Sequence, residues 1–278
     1  MVSFRRSERA GQLLEVLVLL AIDIGNSTIS FGIFEGEEIK YSFKAESRKK
    51  AAPDEYSAFV RAQISALKIA PGAIDGAVIS SVAPALVHVF FSVLKTLEMP
   101  SPLLVSSRLK LPIKIKYKSP ETLGSDRIAS ASGAFAGRPA SEKGPVAVLD
   151  FGTATTISVV DSGGNFLGGT ISPGLITSYE ALTNAAAGLP RSGLAYPKKP
   201  IGEDTAEGLE SGVILGHAAM AEGLLSLAED QLGVKLRAVA TGGLADMVVP
   251  HMTRRKPAID PHLTLKGLAL IYKINLDK

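Results

Sequence analysis

The chain contains no cysteine and no tryptophan. Without cysteine it forms neither a disulfide nor a thiolate metal site, a composition that fits a reducing compartment. The four histidines, His88, His217, His251 and His262, lie far apart and show no ligand spacing, which excludes an obvious zinc motif. Aromatics are scarce at 6%, and the net charge of +3 is spread over Arg5-Arg6, Arg48-Lys49-Lys50, Lys110 to Lys118 and Arg254-Arg255-Lys256. A nucleic-acid binder gathers such charge and interleaves it with stacking rings, so no nucleic acid is expected as partner. Long hydrophobic runs are missing too: no stretch of sequence approaches the ~20 apolar residues that span a bilayer, and no membrane is expected. Basic residues do precede the apolar segment Val16 to Ile22, but Glu15 and Asp23 bracket it and no small-residue cleavage site follows. The expectation is a cytoplasmic protein whose residues 1–17 form a disordered or dispensable extension.

What is present is a hydrophobic share of 46% over 278 residues, enough for one large core or two smaller ones. Strand-like runs alternate with helical patterns. VLVLLAI (16–22), TISFGIF (28–34) and IKYSF (39–43) read as strands. DEYSAFVRAQISALKI (54–69) carries apolar residues at helical spacing, with Asp54 placed to cap it. GAVISSV (76–82) predicts a buried strand, Pro84 to Leu97 a helix, PLLV (102–105) a strand, and IASASGAFAG a helix of small residues after GSDR. KLPIKIKYK (110–118) alternates lysine with apolar residues, the pattern of an edge strand with one basic face.

At VAVLDFGTATTISVVDSGGNFLGGTI the chain begins again as strand, turn, strand, turn, strand. Laying residue 150 on residue 23 matches Asp150 to Asp23, Gly152 to Gly25, Thr155 to Thr28 and Gly163 to Gly36. Two such units predict a duplicated domain, with a ligand held where the halves meet.

The stretch LAIDIGNSTIS raises the question of what the repeated aspartate does. Asp, Asn and Gly suit any tight hairpin. The same residues can also present N–H and hydroxyl donors to phosphate oxygens, with Asp23 facing an accompanying Mg²⁺. Late in the chain, ATGGLAD places Gly242-Gly243 after a strand, where a flat ligand could lie close to the backbone.

Two phosphate hairpins followed by a Gly-Gly adenosine turn resemble the layout of the sugar kinase, heat-shock protein 70 and actin superfamily. More narrowly, YKSPETLGSDRIA (117–129), LDFGTATTISVVDSGGNFLGGTISPGL (149–175), GEDTAEGLESGVILG (202–216) and DPHLTLKGLALIY (260–272) resemble type III pantothenate kinase, from about Leu19 to Tyr272. The resemblance implies an α/β fold of two similar ribonuclease H-like (actin-like ATPase) domains with a central cleft. Their limits are expected at 18–142 and 143–278. It implies ATP-dependent phosphorylation of pantothenate, the first step of coenzyme A biosynthesis, by a homodimer whose pantothenate pocket lies at the subunit interface.

Carried over by position, Asp126 becomes the general base, a role in which a carboxylate orients and deprotonates the alcohol. Its plainer role would be to cap the helix that follows. Arg127 becomes the partner of the pantothenate carboxylate or amide, while Tyr117, Gly124, Ser125 and Thr205 line the same pocket. ATP falls to Asp23, Ile24, Gly25, Asn26, Ser27, Thr28, Ile29, Ser30, Thr153, Gly242 and Gly243. Asp150 becomes the ligand of a monovalent cation, K⁺ or NH₄⁺, although symmetry with Asp23 alone would have put it beside Mg²⁺. Ser27, Ser119 and Ser125 depart from the usual threonine, asparagine and alanine. A regulatory relative resembling an accessory transcription factor is the competing reading. The presence of Asp23, Asp126, Arg127, Asp150 and both glycine turns argues against it.

Overall fold

The computed structural model describes residues 8–9, 12–13, 17–48, 50–191 and 193–276. Most of the expected extension 1–17 lies outside the described residues. Within it, β1 (Glu8–Arg9) and β2 (Gln12–Leu13) pair antiparallel. The rest of the chain forms two compact units. Unit 1 gathers residues 1–112, 119–133 and 264–278, and unit 2 gathers 113–118 and 134–263.

In unit 1, β3 (Val18–Ile24), β4 (Thr28–Glu35) and β5 (Glu38–Glu46) form an antiparallel meander. Helix α1 (Pro53–Ala66) leads to β6 (Gly76–Ser81), and α2 (Pro84–Thr96) to β7 (Leu103–Leu104). Both strands join parallel, giving the order β5-β4-β3-β6-β7. Strand alternation sorts the two faces. Leu20, Ile22 and Ile24 of β3, with Ile29, Phe31 and Ile33 of β4, are buried in one core with Tyr56 and Val60 of α1 and Phe90 and Val93 of α2. Asp54 does not cap α1, because Pro53 already opens the first turn. Ala52 holds the cap position and its N–H donates to Glu55 Oε1 at 3.1 Å. Helix α3 (Ser125–Ala136) starts in this unit.

Unit 2 repeats the plan with β8 (Lys114–Ile115) added at one edge. Strands β9 (Val146–Phe151), β10 (Ala154–Val160) and β11 (Asn165–Pro173) form the meander. After α4 (Leu175–Ala185) and α5 (Thr205–Leu232), β12 (Arg237–Thr241) joins β9 parallel. After α6 (Ala245–Val248), β13 (Ala258–Ile259) joins β12 parallel. The order is β13-β12-β9-β10-β11-β8, so five strands match unit 1 in order and sense. Leu149, Phe151 and Ile157 pack with Ile214, Ala218 and Leu225 of α5 in this unit's core. The last helix, α7 (Leu263–Leu276), packs within unit 1, where Gly32 and Gly76 make room for Leu265 and Tyr272.

Two readings need correction. The 28-residue α5 contains a window of mean hydropathy 1.3, long and apolar enough to cross a membrane by length and composition, which the sequence was read as lacking. Its alanines and leucines with Val213 and Ile214 raise the mean, while glycine, serine and glutamate interrupt any unbroken apolar run, and its Ile214, Ala218 and Leu225 are buried in the unit's core. The duplication also slips after the second hairpin's glycine. Gly25 N–H donates to Thr28 O, whereas Gly152 N–H donates to Ala154 O, so the second turn is one residue shorter and Ala154 takes the place of Thr28. In the next turn the positive-φ glycine answering Gly36 is Gly164, not Gly163.

Candidate functional site

In unit 1, Asp23 sits one residue before the end of β3, on the face opposite the α1–α2 core. The registers place Ser30 of β4 and Ser80 of β6 beside it. Ser80 Oγ donates to Asp23 Oδ1 at 2.5 Å. The turn beyond it leaves Asn26, Ser27 and Thr28 exposed and Gly25 half-buried, while Ile24 and Ile29 anchor it in the core.

The same unit carries the GSDR segment. Gly124 stands at the start of α3, where its carbonyl accepts from Ile128 N–H at 3.1 Å. Asp126 therefore lies inside the first turn instead of capping it. Its Oδ1 accepts from Arg127 N–H at 2.8 Å. Burial pushes the Asp126 carboxyl above the ordinary carboxylate range, more than the Arg127 N–H and guanidinium pull it down. Arg127 is 9% exposed and Ser125 8%. Ser125 Oγ accepts from Ser81 N–H at 2.8 Å and donates to Ser81 O at 3.1 Å. The extra hydroxyl is thus spent on tying α3 to the end of β6, next to the strand that bears Asp23. A Cβ on Gly124 would lie 2.4 Å from Asp126 Oδ1, so only glycine leaves the carboxylate where it stands.

In unit 2, Asp150 occupies the place on β9 that Asp23 has on β3, with Thr156 and Thr241 across the registers. Thr153 is exposed in the turn. Gly242 has φ +93, and a Cβ there would stand 2.5 Å from both Asp150 Oδ1 and Phe151 O, so the strand itself demands this glycine. Gly243 has open space where a side chain would be. Thr155 faces inward, 1% exposed, and pairs with His217 Nε2 at 2.7 Å. Burial lowers the His217 pKa, because it disfavours the charged ring. Sequence reading gave this histidine no role, because nothing in the chain shows that α5 passes under the second hairpin.

Tyr117 follows β8, with its ring edge-on to Phe166 at 6.0 Å and close to Gly168. Lys114, Lys116 and Lys118 lie exposed along this sheet edge. Thr205 is the first residue of α5. Asp204 caps that helix by accepting from Glu207 N–H at 2.8 Å. A groove of about 360 Å³ between α4 and α5 is lined by Ser178, Leu182, Gly212, His217 and Met220. Among the described residues no three histidine or acidic side chains cluster to hold a metal. Single carboxylates such as Asp23 and Asp150 suit a hard cation that keeps its waters and takes the remaining ligands from phosphate.

The type III pantothenate kinase family model matches residues 19–227. The chain belongs to the type III pantothenate kinase family. Among its relatives, the type III pantothenate kinase of Roseiflexus sp. (strain RS-1) is 37% identical over 93% of this chain and 99% of its own length. That of Syntrophus aciditrophicus (strain SB) is 36% identical over 93% and 100%. Solved structures with the same fold include a Campylobacter jejuni protein assigned to the Baf family of transcriptional activators. Its TM-score is 0.60 at 18% identity, over 93% of this chain and all of the other. The activator of 2-hydroxyisocaproyl-CoA dehydratase from Clostridium difficile, solved with ADPNP, gives 0.56 at 14% over 94% and 95%. The chain has the ribonuclease H-like fold of the actin-like kinases and ATPases, built twice.

Proposed function

We propose that this kinase transfers the γ-phosphoryl group of ATP to the primary hydroxyl of pantothenate, the entry step of coenzyme A synthesis. The observation that carries the reading is the Asp126 carboxylate. It is raised in pKa by burial and oriented by the Arg127 N–H, in a chain matched to this family over 19–227. A base of raised pKa takes a hydroxyl proton more readily, while phosphoryl transfer otherwise needs positioning and charge neutralisation.

In this reading Asp126 accepts the proton and Arg127 pairs with the pantothenate carboxylate or amide. Tyr117, Gly124, Ser125 and Thr205 line the acceptor's place. Asp23 to Ser30 and Thr153 take the ATP phosphates, and Gly242-Gly243 the adenosine. Asp23 holds Mg²⁺ and Asp150 a monovalent cation, K⁺ or NH₄⁺. When bound, these ions neutralise phosphate charge. The working unit is a homodimer in the cytoplasm. Exposed apolar Ile171, Ile176 and Leu182, the last of them lining the α4–α5 groove, support the dimer. A non-catalytic regulator is not favoured, since likeness to the Baf family protein at 18% identity speaks for the fold alone.

The test is ADP release coupled to an indicator, with ATP, Mg²⁺ and pantothenate, in K⁺ and again in Na⁺. Pantothenate-dependent turnover favoured by K⁺ supports the acceptor and the role of Asp150. Asp126→Ala should keep ATP binding and lose turnover by a factor of ~10²–10⁴. ATP binding without pantothenate-dependent turnover in the wild type would sink the proposal.

A further inference from the structure

Each phosphate hairpin is fastened from behind by a hydroxyl side chain that lies just beyond the third strand of its own unit. In unit 1, Ser47 follows β5. Its Oγ donates to Gly25 O at 2.5 Å and its N–H to Ser27 O at 2.9 Å. In unit 2, Gly174 follows β11 and donates its N–H to Thr153 O at 3.0 Å. Thr177, in the first turn of α4, donates its Oγ1 to the same oxygen at 2.7 Å. The backbone half of the device is identical in the two repeats. Ser27 and Thr153 each precede the residue that closes the turn, Thr28 and Ala154, and each gives its carbonyl to the residue just after the meander. The hydroxyl half has been supplied separately, by Ser47 itself in one unit and by Thr177 in the other.

We infer that Ser47 and Thr177 are positioning residues for nucleotide phosphate, acting as clamps on the hairpin carbonyls. The inference rests on the proposal that these hairpins take the ATP phosphates. A trans peptide is planar, so its carbonyl and N–H point to opposite sides. Fixing Gly25 O on Ser47 turns the Asn26 N–H away from Ser47, and fixing Thr153 O on Thr177 does the same for the Ala154 N–H. A flipped peptide in such a turn would present a carbonyl oxygen where an anion needs a donor. The clamps hold the donor orientation before ligand arrives, so binding does not have to select it from a mixture. Neither residue needs to touch ATP.

The experiment is calorimetric titration of Mg·ATP into the wild type and the variants Ser47→Ala, Ser47→Thr, Thr177→Val and Thr177→Ser. KM for ATP and for pantothenate, and the melting temperature without ligand, are measured alongside. One clamp bond is a modest net contribution, so Ser47→Ala and Thr177→Val should each weaken ATP roughly three- to tenfold. KM for pantothenate should stay at the wild-type value, and the hydroxyl-bearing Ser47→Thr and Thr177→Ser should bind ATP like the wild type. A general loss of structure would instead raise both KM values and lower the melting temperature of all four. Wild-type ATP affinity in both Ser47→Ala and Thr177→Val overturns the inference, as does equal weakening in the hydroxyl-bearing variants. Absence of ATP binding by the wild type would instead refute the parent assignment of the hairpins.

Discussion

Gly124→Ala tests the geometry around Asp126 without touching the carboxylate itself. The added methyl would be 2.4 Å from Asp126 Oδ1 and 3.5 Å from Val82 Cγ1, so only the carboxylate is in the way. To regain van der Waals distance Oδ1 must retreat by roughly 0.6–1 Å, and a displacement of that size at a reacting group costs on the order of 10²-fold in rate. Moving Oδ1 also breaks its bond from the Arg127 N–H, a net loss of about 1 kcal/mol. In a chain of this size that lowers the melting temperature by only about 2–4 °C. The expected outcome is a folded protein with near-normal ATP affinity and kcat reduced ten- to a hundredfold. The assay is steady-state ADP release at saturating ATP and pantothenate, with calorimetric ATP titration and a thermal melt on the same preparation. Wild-type kcat in Gly124→Ala would refute the reasoning, because it would mean that the position of this carboxylate does not matter to turnover.

Three further outcomes follow from the same contacts. In the proposed role Asp126 must be ionised, and burial raises its pKa, so kcat/KM should fall on the acid side with an apparent pKa above the usual carboxylate range. A pH profile whose acid limb lies within that range would contradict this. Ser125→Ala should cost about 1–2 kcal/mol, since both bonds to Ser81 go, while kcat stays within about twofold and the acid limb does not move. Urea unfolding and the pH profile check the two halves separately. Glu229 is 5% exposed and accepts from Lys235, Leu236 N–H and Arg255, so Glu229→Ala should destabilise by roughly 3 kcal/mol in urea unfolding. Burial alone would push its carboxyl up, but those three partners outweigh it and hold it below the ordinary range. Its stabilisation is therefore complete above the unfolded-state pKa and lost as pH falls through the folded one, an acid sensitivity that Glu229→Gln should remove.

The meanders were legible because each strand alternates or runs apolar between turn residues, a signal with period two that survives in a single sequence. The duplication was legible for a related reason: Asp23 and Asp150 interrupt apolar strands at the same point, and carboxylates rarely stand there without purpose. The one-residue slip between the repeats was not legible. Thr155 and Thr28 share an identity, yet one closes an exposed turn and the other is buried against His217, and only the strand register separates them. Asp54 misled in the same way, because a favoured capping residue stood one position past a proline that had already fixed the helix start. What pattern reading lacks throughout is the contact that returns from far along the chain. Ser47 reaches back 22 residues to Gly25, Thr177 reaches 24 to Thr153, and Ser125 reaches 44 to Ser81. Serine and threonine are common in loops for local reasons, so nothing in their spacing marks these three. The residues proposed to meet phosphate and acceptor carry unusual chemistry and stand out in a sequence. Those that hold them in place carry ordinary chemistry, and only the fold reveals them.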